Sequence, residues 1–406
     1  MRKPSYPLIL AVFLLLSVHL HVSAQAVDIP MFAAYAVDDN LYIFKPNERP
    51  QFIDHQPYFH ESGPNPRDLV WNHDGNSLAF EISKGIAVFD VAAQTKTNFL
   101  AVPFPELPLA FSLDDKYILY AGEGGGDGIN GPYWRDISKI EISPEAKSEK
   151  VGQIAYSCCF GGGEFIPPAV EALDEEQGNW HGVRSLHDTP YGILAAKENA
   201  GVQLNGIPIE LLNNAYLSHN RDKIASIADQ NRIAIVDLET REIHYLQLDI
   251  SLTTLAWGEN DKTLFYASSE TIHDMYADLT QNEKQVFLSK QGSVEYELGQ
   301  PMLNYNHSNI YQLNLSDETQ KSLTGMEVYA IARLMPSPDG TSIFFSVIPN
   351  MDKWLQVTLA SQVSCYSYAC STQYSRPMLY SLSLADGEVN LVGDGLYNAA
   401  FSFENQ

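Results

Sequence analysis

Stretches in which apolar and polar residues alternate recur along the chain, separated by turn sequences rich in Asp, Asn and Gly. The clearest copy spans residues 67–101, where an apolar run at 69–71 precedes the turn Asn72-His73-Asp74-Gly75. Three further runs follow this turn, at 78–82, 86–90 and 97–100. Alternation with period two is typical of β-strands, and Asp-Gly pairs are typical of tight antiparallel turns. The pattern therefore predicts a four-stranded antiparallel sheet.

The same order of strands and turns returns in five further units, at 109–154, 182–212, 216–249, 253–325 and 328–393. Residues 31–54 have the pattern of strands two to four of another unit, and residues 399–403 have that of a first strand. Joined, the two ends make a seventh unit and cover strand edges that otherwise invite aggregation. The alternative is six units, because the copy at 182–212 is the weakest.

The turn Ser337-Pro338-Asp339-Gly340 precedes an apolar strand, and the third strands at 86–90 and 232–237 end in Asp. These units resemble the blades of the TolB-type, WD-repeat-like β-propeller family, in which that turn and that Asp are usual. The other turns match in part. The resemblance implies an all-β fold, a seven-bladed β-propeller of four-stranded antiparallel blades, closed by a C-terminal strand joining the N-terminal blade. TolB itself has an extra α/β domain, so we do not expect this chain to be TolB, and a propeller specifies little about function.

The first residues have the pattern of an export signal. Arg2 and Lys3 precede an apolar stretch at 7–18, and small residues near 22–26 offer cleavage sites. We expect a signal peptide at 1–24 and a single propeller domain at 27–406, which would be secreted, periplasmic or at the cell surface. The alternative is an uncleaved membrane anchor, although the stretch is short for a bilayer. No membrane insertion is expected after signal removal.

Acidic residues outnumber basic residues by 50 to 25, which gives a formal net charge of −25. Such a charge repels phosphate backbones, so nucleic acid is excluded as a partner. The charge alone is also explained by the solubility of an exported protein. We therefore expect a monomer whose ligand is a protein, a peptide or a glycan.

Four long segments interrupt the repeat, at 122–134, 155–181, 271–308 and 349–376. Three of them join strands two and three of a unit, and the segment at 155–181 links two units. In a propeller both kinds of connection lie on the same face, so we predict a rim around one mouth of the central channel. Long loops in compact domains are often functional. The alternative is a set of insertions with no shared role.

Carboxylates and aromatic rings are interleaved in these segments. Aromatic rings stack on sugars or hold cationic groups, although each ring could instead belong to a small core within its own loop. The candidate ligand-binding residues are Glu123, Asp127, Tyr133, Trp134, Glu164, Trp180, Tyr296, Trp354 and Tyr366. The acids Glu123, Asp127 and Glu164 also allow an alternative function, an extracytoplasmic polysaccharide hydrolase or lyase.

The four cysteines, Cys158, Cys159, Cys365 and Cys370, fall in two of the long segments. They are predicted to form disulfides, either a vicinal and a local bridge or two bridges between the segments. Their spacing is that of neither a zinc site nor a C-x-x-C redox motif. The glycine-rich stretch at 122–128 could wrap calcium, but it lacks the spacing of a calcium loop, and a hairpin tip is the alternative.

Catalytic sequence motifs are absent from the chain. It contains no G-x-S-x-G elbow, no H-E-x-x-H pair and no phosphate-binding loop. We therefore predict a binding or scaffolding module with no catalytic residues, no cofactor and no metal.

Overall fold

The computed structural model describes residues 29–36, 40–55, 69–82, 85–99, 106–126, 132–143, 146–157, 183–197, 201–210, 215–291, 304–350, 352–360 and 378–402. These residues form seven four-stranded antiparallel sheets, each of which is one blade of a β-propeller. The predicted seven-bladed fold is therefore confirmed, and the alternative of six blades is wrong. The weak copy at 182–212 forms a full blade.

Each blade has its strands in chain order from the channel outward, except that blade 1 begins with the last strand of the chain. The strands of blades 1 to 4 are β1 (Phe32–Ala36), β2 (Asn40–Phe44), β3 (Gln51–His55), β4 (Leu69–Trp71), β5 (Ser77–Ile82), β6 (Gly85–Asp90), β7 (Thr95–Phe99), β8 (Glu106–Phe111), β9 (Tyr117–Gly126), β10 (Pro132–Glu141), β11 (Ser148–Ser157), β12 (Val183–Thr189), β13 (Gly192–Lys197), β14 (Gly201–Leu204) and β15 (Ile207–Glu210). The strands of blades 5 to 7 and the closing strand are β16 (Tyr216–Leu217), β17 (Lys223–Asp229), β18 (Arg232–Asp237), β19 (Ile243–Gln247), β20 (Leu252–Trp257), β21 (Thr263–Asp274), β22 (Asn304–Asn314), β23 (Gln320–Met326), β24 (Ala330–Pro336), β25 (Ser342–Ile348), β26 (Met378–Ser383), β27 (Val389–Asp394) and β28 (Leu396–Phe401).

The last strand closes the ring as predicted. β28 pairs antiparallel with β1, with Phe32 opposite Phe401 and Ala33 opposite Ala400. The edge of β1 is thereby covered, and the innermost strand of blade 1 comes from the opposite end of the chain.

The hydrophobic core is a ring of seven interfaces, one between each pair of adjacent blades. The interface between blades 7 and 1, for example, packs Met335 and Phe344 against Phe32 and Phe401. Because both faces of a blade are buried in this arrangement, central strands such as β6 are buried along nearly their whole length.

In blades 2, 3, 5, 6 and 7 the turns between strands one and two share a backbone conformation. Their fourth residue has a positive φ, at Gly75, Asp115, Arg221, Asp261 and Gly340. Where the first residue is Ser or Asn, its side chain stabilises the turn: in blade 7 the Ser342 N–H donates to Ser337 Oγ at 2.9 Å. These turns and those between strands three and four lie on one side of the ring, which we call the turn face. The connections between strands two and three, and those between blades, lie on the opposite side, the loop face.

Within the described residues, two helices lie in connections on the loop face. α1 (Gln281–Gln291) follows β21, and α2 (Asp352–Ala360) follows β25. A capping box begins α1, since the Thr280 N–H donates to Glu283 Oε2 at 2.8 Å and the Glu283 N–H donates to Thr280 Oγ1 at 3.3 Å. Among the residues that the structure describes, no helix has the length and apolar character needed to cross a membrane.

Candidate functional site

The first strands of all seven blades surround a central channel. A cavity of about 370 Å³ lies within it and is lined by residues of these inner strands. His73, His219 and Arg221, which stand in turns after β4 and β16, also line the cavity. Because those turns lie on the turn face, the cavity reaches that face. We call it the channel pocket.

Four polar side chains line the channel pocket from successive blades. They are His187 on β12, Tyr216 on β16, Thr254 on β20 and Arg333 on β24. Arg333 is exposed although it belongs to an inner strand, whereas Thr254 is only 4% exposed. The inner strands of blades 1 to 3 line the pocket with apolar residues that include Ala400, Val70 and Ala110. The channel pocket therefore has one polar side and one apolar side.

Two tryptophans bond the inner strands of neighbouring blades together. Trp71 Nε1 on β4 donates to Ala400 O on β28 at 2.9 Å. Trp257 Nε1 on β20 donates to Tyr216 O on β16 at 2.7 Å. Each indole therefore links the inner strands of two blades through a carbonyl group.

Arg333 and His187 make similar bonds but also face the pocket. Arg333 Nη1 donates to Ala399 O at 3.3 Å, and the His187 ring nitrogen Nε2 lies 3.3 Å from Ala215 O. A carbonyl can only accept, so the imidazole donates from Nε2 and, when neutral, has an acceptor at Nδ1. Both side chains are thereby held in place at the wall of the pocket.

Burial keeps the His187 imidazole neutral. It lowers the pKa of His187 from 6.5 to about 4; the bond to Ala215 O acts in the opposite direction, and the charge of Arg221 lowers the pKa further. The polar side of the pocket therefore holds a neutral imidazole at physiological pH. Nearby, burial raises the pKa of the Tyr216 hydroxyl, whereas its bond with Thr254 and the charge of Arg333 lower it.

Arg221 stands where the pocket meets the turn face. Its Nη1 donates to Asp188 O at 2.9 Å. Burial lowers the pKa of Arg221, while the charges of Asp188 and Asp115 raise it. An arginine keeps its proton throughout the physiological range, so the pocket has a second fixed cation.

On the loop face, α1 and α2 pack against each other. Met275, Phe287 and Leu355 are buried between them, and Tyr276 and Tyr305 pack at the margin. These residues come from the connections of blade 6 and blade 7, which therefore form one structure, the helical platform.

The platform is bonded to the blades beneath it. The Asn306 N–H donates to Asn350 Oδ1 at 2.8 Å, and Asn350 Nδ2 donates back to Asn306 O at 3.0 Å. Tyr305 donates its hydroxyl proton to Glu327 Oε2 at 2.9 Å, and the ring of His273 stacks on the ring of Tyr305. These contacts join the ends of β21, β22 and β25 below the helices.

The backbone of several predicted rim residues is described, although their side chains are not. Glu123 lies on β9, Tyr133 and Trp134 lie on β10, and Trp354 lies on α2. Tyr133 pairs with Gly126 and Trp134 pairs with Gly125, so the glycine-rich stretch is strand up to Gly126. Glu123, Tyr133 and Trp134 lie near the loop-face ends of strands two and three of blade 3, and Trp354 lies in the connection between strands two and three of blade 7. Their role in binding stays a prediction.

The other predicted site residues lie outside the described residues. These are Asp127, Glu164, Trp180, Tyr296, Tyr366 and the four cysteines Cys158, Cys159, Cys365 and Cys370. The predicted signal peptide at 1–24 lies outside them as well. Within the described ranges, no three His, Cys, Asp or Glu side chains are grouped as metal ligands would be.

Among the described residues, none of the site residues predicted from the sequence lines the channel pocket. A signal was nevertheless present, because aligning the units on their first turn places His187 where other units have Val70, Ala110 and Ala400. A polar residue at a position that is apolar in other repeats indicates a role outside the core.

Fold and sites together define a closed seven-bladed β-propeller with a polar channel pocket on one face and a helical platform on the other. No protein-family model matches the chain, and no curated protein matches it. Solved structures match it at low identity. TolB from Acinetobacter baumannii has a TM-score of 0.43 and 11% identity, covering 92% of this chain and 66% of TolB.

Two further solved structures show the same level of similarity. A chain of a mitotic checkpoint complex has a TM-score of 0.46 and 13% identity, over 77% of this chain and 82% of its own. A putative 6-phosphogluconolactonase from Bacteroides fragilis has a TM-score of 0.45 and 9% identity, over 93% and 97% respectively. At such identities the likeness concerns the fold alone.

Proposed function

We propose that this protein is an exported, non-catalytic binding or scaffolding propeller that engages a protein, peptide or glycan on its loop face. The observation that carries the proposal is the helical platform. Insertions without a shared role would fold separately, whereas α1 and α2 share the buried residues Met275, Phe287 and Leu355. A rigid ring that supports such a joined structure on one face is suited to presenting a binding surface.

The platform also presents apolar side chains to solvent. Ile272, near the end of β21, is 53% exposed, and Val286 on α1 is 38% exposed. Large apolar side chains exposed in a polar surrounding are common in protein interaction sites. The predicted rim residues Tyr133 and Trp134 lie at the loop-face end of β10, and Trp354 lies on α2 in a connection on this same face, so the proposed surface extends from blade 3 to blade 7.

Export is supported by the N-terminal pattern of basic residues, apolar stretch and small residues at 1–26. The net charge of −25 agrees with a partner that is neutral or basic. The absence of catalytic motifs from the sequence favours binding over turnover. The polysaccharide hydrolase remains the alternative, with Glu123, Asp127 and Glu164 as its acids.

The proposal is tested by measuring binding of the purified protein to peptide and glycan arrays. The variants Ile272→Asp and Val286→Asp place a charge on the platform. Ile207→Asp is the matched control, because Ile207 is 51% exposed on the outer strand of blade 4. We expect the two platform variants to weaken binding at least about ten-fold, because charge at an apolar contact is strongly unfavourable, and the control to leave it unchanged.

Absence of any array ligand, or equal weakening by Ile207→Asp, would contradict the proposal. Polysaccharides that bind are also tested for cleavage. Turnover that Glu123→Ala or Glu164→Ala abolishes would identify the protein as the alternative hydrolase or lyase.

A further inference from the structure

We propose that the channel pocket is a second ligand site, which binds a carboxylate attached to a small apolar group. The site lies on the turn face and shares no residue with the helical platform. It therefore does not depend on the function proposed for the loop face.

The polar side of the pocket has the donors that a carboxylate requires. Arg333 is exposed within the channel and is oriented by its bond to Ala399 O. Thr254 and Tyr216, which bond to each other, provide hydroxyl groups on the two preceding blades. A guanidinium forms charge-assisted bonds to a carboxylate, and these are stronger where water is partly excluded.

The charge balance of the pocket is opposite to that of the whole protein. Its charged lining residues are two arginines, Arg221 and Arg333, against one aspartate, Asp188. The chain as a whole carries −25. A cation is disfavoured next to the two guanidinium groups, so the local balance favours a negatively charged ligand.

The surroundings of the pocket disfavour a more highly charged anion such as phosphate. Asp115 contacts His73, and Asp261 contacts His219, so two further carboxylates lie behind the lining residues at the turn face. The neutral imidazole of His187 adds no positive charge to offset them. A monoanion bonds to Arg333, meets half the repulsion from these carboxylates that a dianion would, and costs less to desolvate.

The size and the apolar side of the pocket restrict the rest of the ligand. A volume of about 370 Å³ is near the lower end for small-molecule sites, roughly 300–1,000 Å³. Val70, Ala110 and Ala400 face the polar residues across the channel. A short aliphatic group fits this surface, either in a free organic acid or in the last residue of a peptide with a free C-terminus.

Sodium butyrate is the probe for the free acid, and its neutral isostere butyramide is the matched control. Binding to the full-length exported protein is measured by isothermal titration calorimetry. We expect butyrate to bind and butyramide to bind at least about ten-fold more weakly, because a neutral amide gives up the charge-assisted bonds. A peptide ending in Ala-Leu, compared with its C-terminal amide, distinguishes a chain terminus from a free acid as the source of the carboxylate.

Substitutions in the channel pocket test whether butyrate binds there. Arg333→Gln is expected to weaken butyrate binding at least about ten-fold. Arg241→Gln is the matched control, because Arg241 is exposed in a turn of blade 5 on the same face but outside the pocket. Thr254→Val, which keeps the side-chain shape, is a second variant in case Arg333→Gln does not fold, and it is expected to weaken binding several-fold, about three-fold or more.

The proposal is overturned if neither butyrate nor the free-acid peptide binds, or if butyramide binds as well as butyrate. It is equally overturned if folded Arg333→Gln, or Thr254→Val in its place, binds as the wild type does. The array binding of the platform variants has no bearing on butyrate binding. Either proposal can therefore be contradicted while the other one stands.

Discussion

His187 occupies a position that is apolar in several other blades. It is held by its bond to Ala215 O, and it lies beside the cationic Arg221, with Asp188 next to it in the chain. Burial lowers its pKa to about 4. In the unfolded chain the same imidazole has its ordinary pKa near 6.5, so folding and protonation compete at this residue.

This competition predicts that His187 alone accounts for part of the stability that the protein loses in acid. Between pH 6.5 and pH 4 the unfolded chain binds a proton that the folded chain does not, so the free energy of unfolding falls as the pH falls through this window. From pH 7 to pH 4.5 the loss due to His187 should be about 2–3 kcal/mol. His187→Gln should remove this part of the loss, as measured by urea denaturation at the two pH values.

An exposed histidine provides the control for this measurement. His244→Gln, on the outer strand of blade 5 where the side chain is 65% exposed, is the matched variant, and His187→Gln should change the loss of stability in acid more than it does. The low pKa of carboxyls such as Asp114, about 2, affects stability mainly at more acidic pH. If His187→Gln lost as much stability as the wild type at pH 4.5, His187 would not be neutral in the folded protein.

Among the elements, the turns on the turn face also connect neighbouring blades. Asp261 of blade 6 accepts from the His219 N–H and the Asn220 N–H of blade 5, both at 2.9 Å. Asp188 of blade 4 accepts from the Leu113 N–H of blade 3 at 2.9 Å. An acid of one blade thus satisfies backbone donors of the preceding blade's turn.

These hydrogen bonds between blades explain why two turns depart from the Ser-Pro-Asp-Gly pattern. Asp115 and Asp261 occupy the turn position that is Gly in blades 2 and 7, and they adopt φ values of +55° and +49°. A left-handed conformation costs a non-glycine residue roughly 1 kcal/mol. The two hydrogen bonds that Asp261 accepts from the neighbouring turn offset that cost. Glycine would avoid the cost, but it has no side chain to accept these bonds.

Asp261→Ala should therefore destabilise the protein more than Asp261→Gly. Both variants lose the bonds to blade 5, but only alanine retains the unfavourable φ, so we expect losses of about 2–4 kcal/mol and about 1–3 kcal/mol respectively. The free energy of unfolding by urea is the measurement. Asp317→Ala is the control, because the bonds that Asp317 accepts from Thr319 lie within its own turn, and it should give a smaller loss. A larger effect at Asp317 than at Asp261 would argue against bonding between blades as the role of this acid.

At the scale of the whole molecule, stability depends on a closed ring of seven blade interfaces. The interface between blades 7 and 1 exists because β28 joins β1. Phe401 on β28 is fully buried, and its ring centroid lies 4.3 Å from that of Phe344 in blade 7 and 5.0 Å from that of Phe32 in blade 1. One side chain near the end of the chain therefore links the last blade to the first.

Phe401→Ala should lower the free energy of unfolding by about 3–5 kcal/mol, because it leaves a cavity in the closing interface. The matched control is Phe52→Ala in the outer strand of blade 1, where Phe52 is 55% exposed and about 1 kcal/mol or less is expected. Thermal and urea denaturation measure both variants. A loss at Phe401 no larger than that at Phe52 would mean that the closing strand contributes little to stability.

The sequence by itself determined the number of blades in this protein and the order of their strands along the chain. Alternation with period two and turns such as Asn72-His73-Asp74-Gly75 are local signals, set by residues a few positions apart. They sufficed to predict the seven blades and the C-terminal closing strand. They did not predict α1 and α2, because apolar residues such as Val286 and Phe287 do not form a long helical stripe, and packing between the insertions supports these helices.

Only the tertiary structure decided the channel pocket. His187, Tyr216, Thr254 and Arg333 are spread over nearly 150 positions of the sequence, and no local pattern relates them. They meet because each stands on the inner strand of a successive blade, and closing the ring brings those strands around one channel. The reason is geometric, since the pairing of strands is encoded locally, whereas the convergence of side chains from separate blades exists only once all seven interfaces have formed.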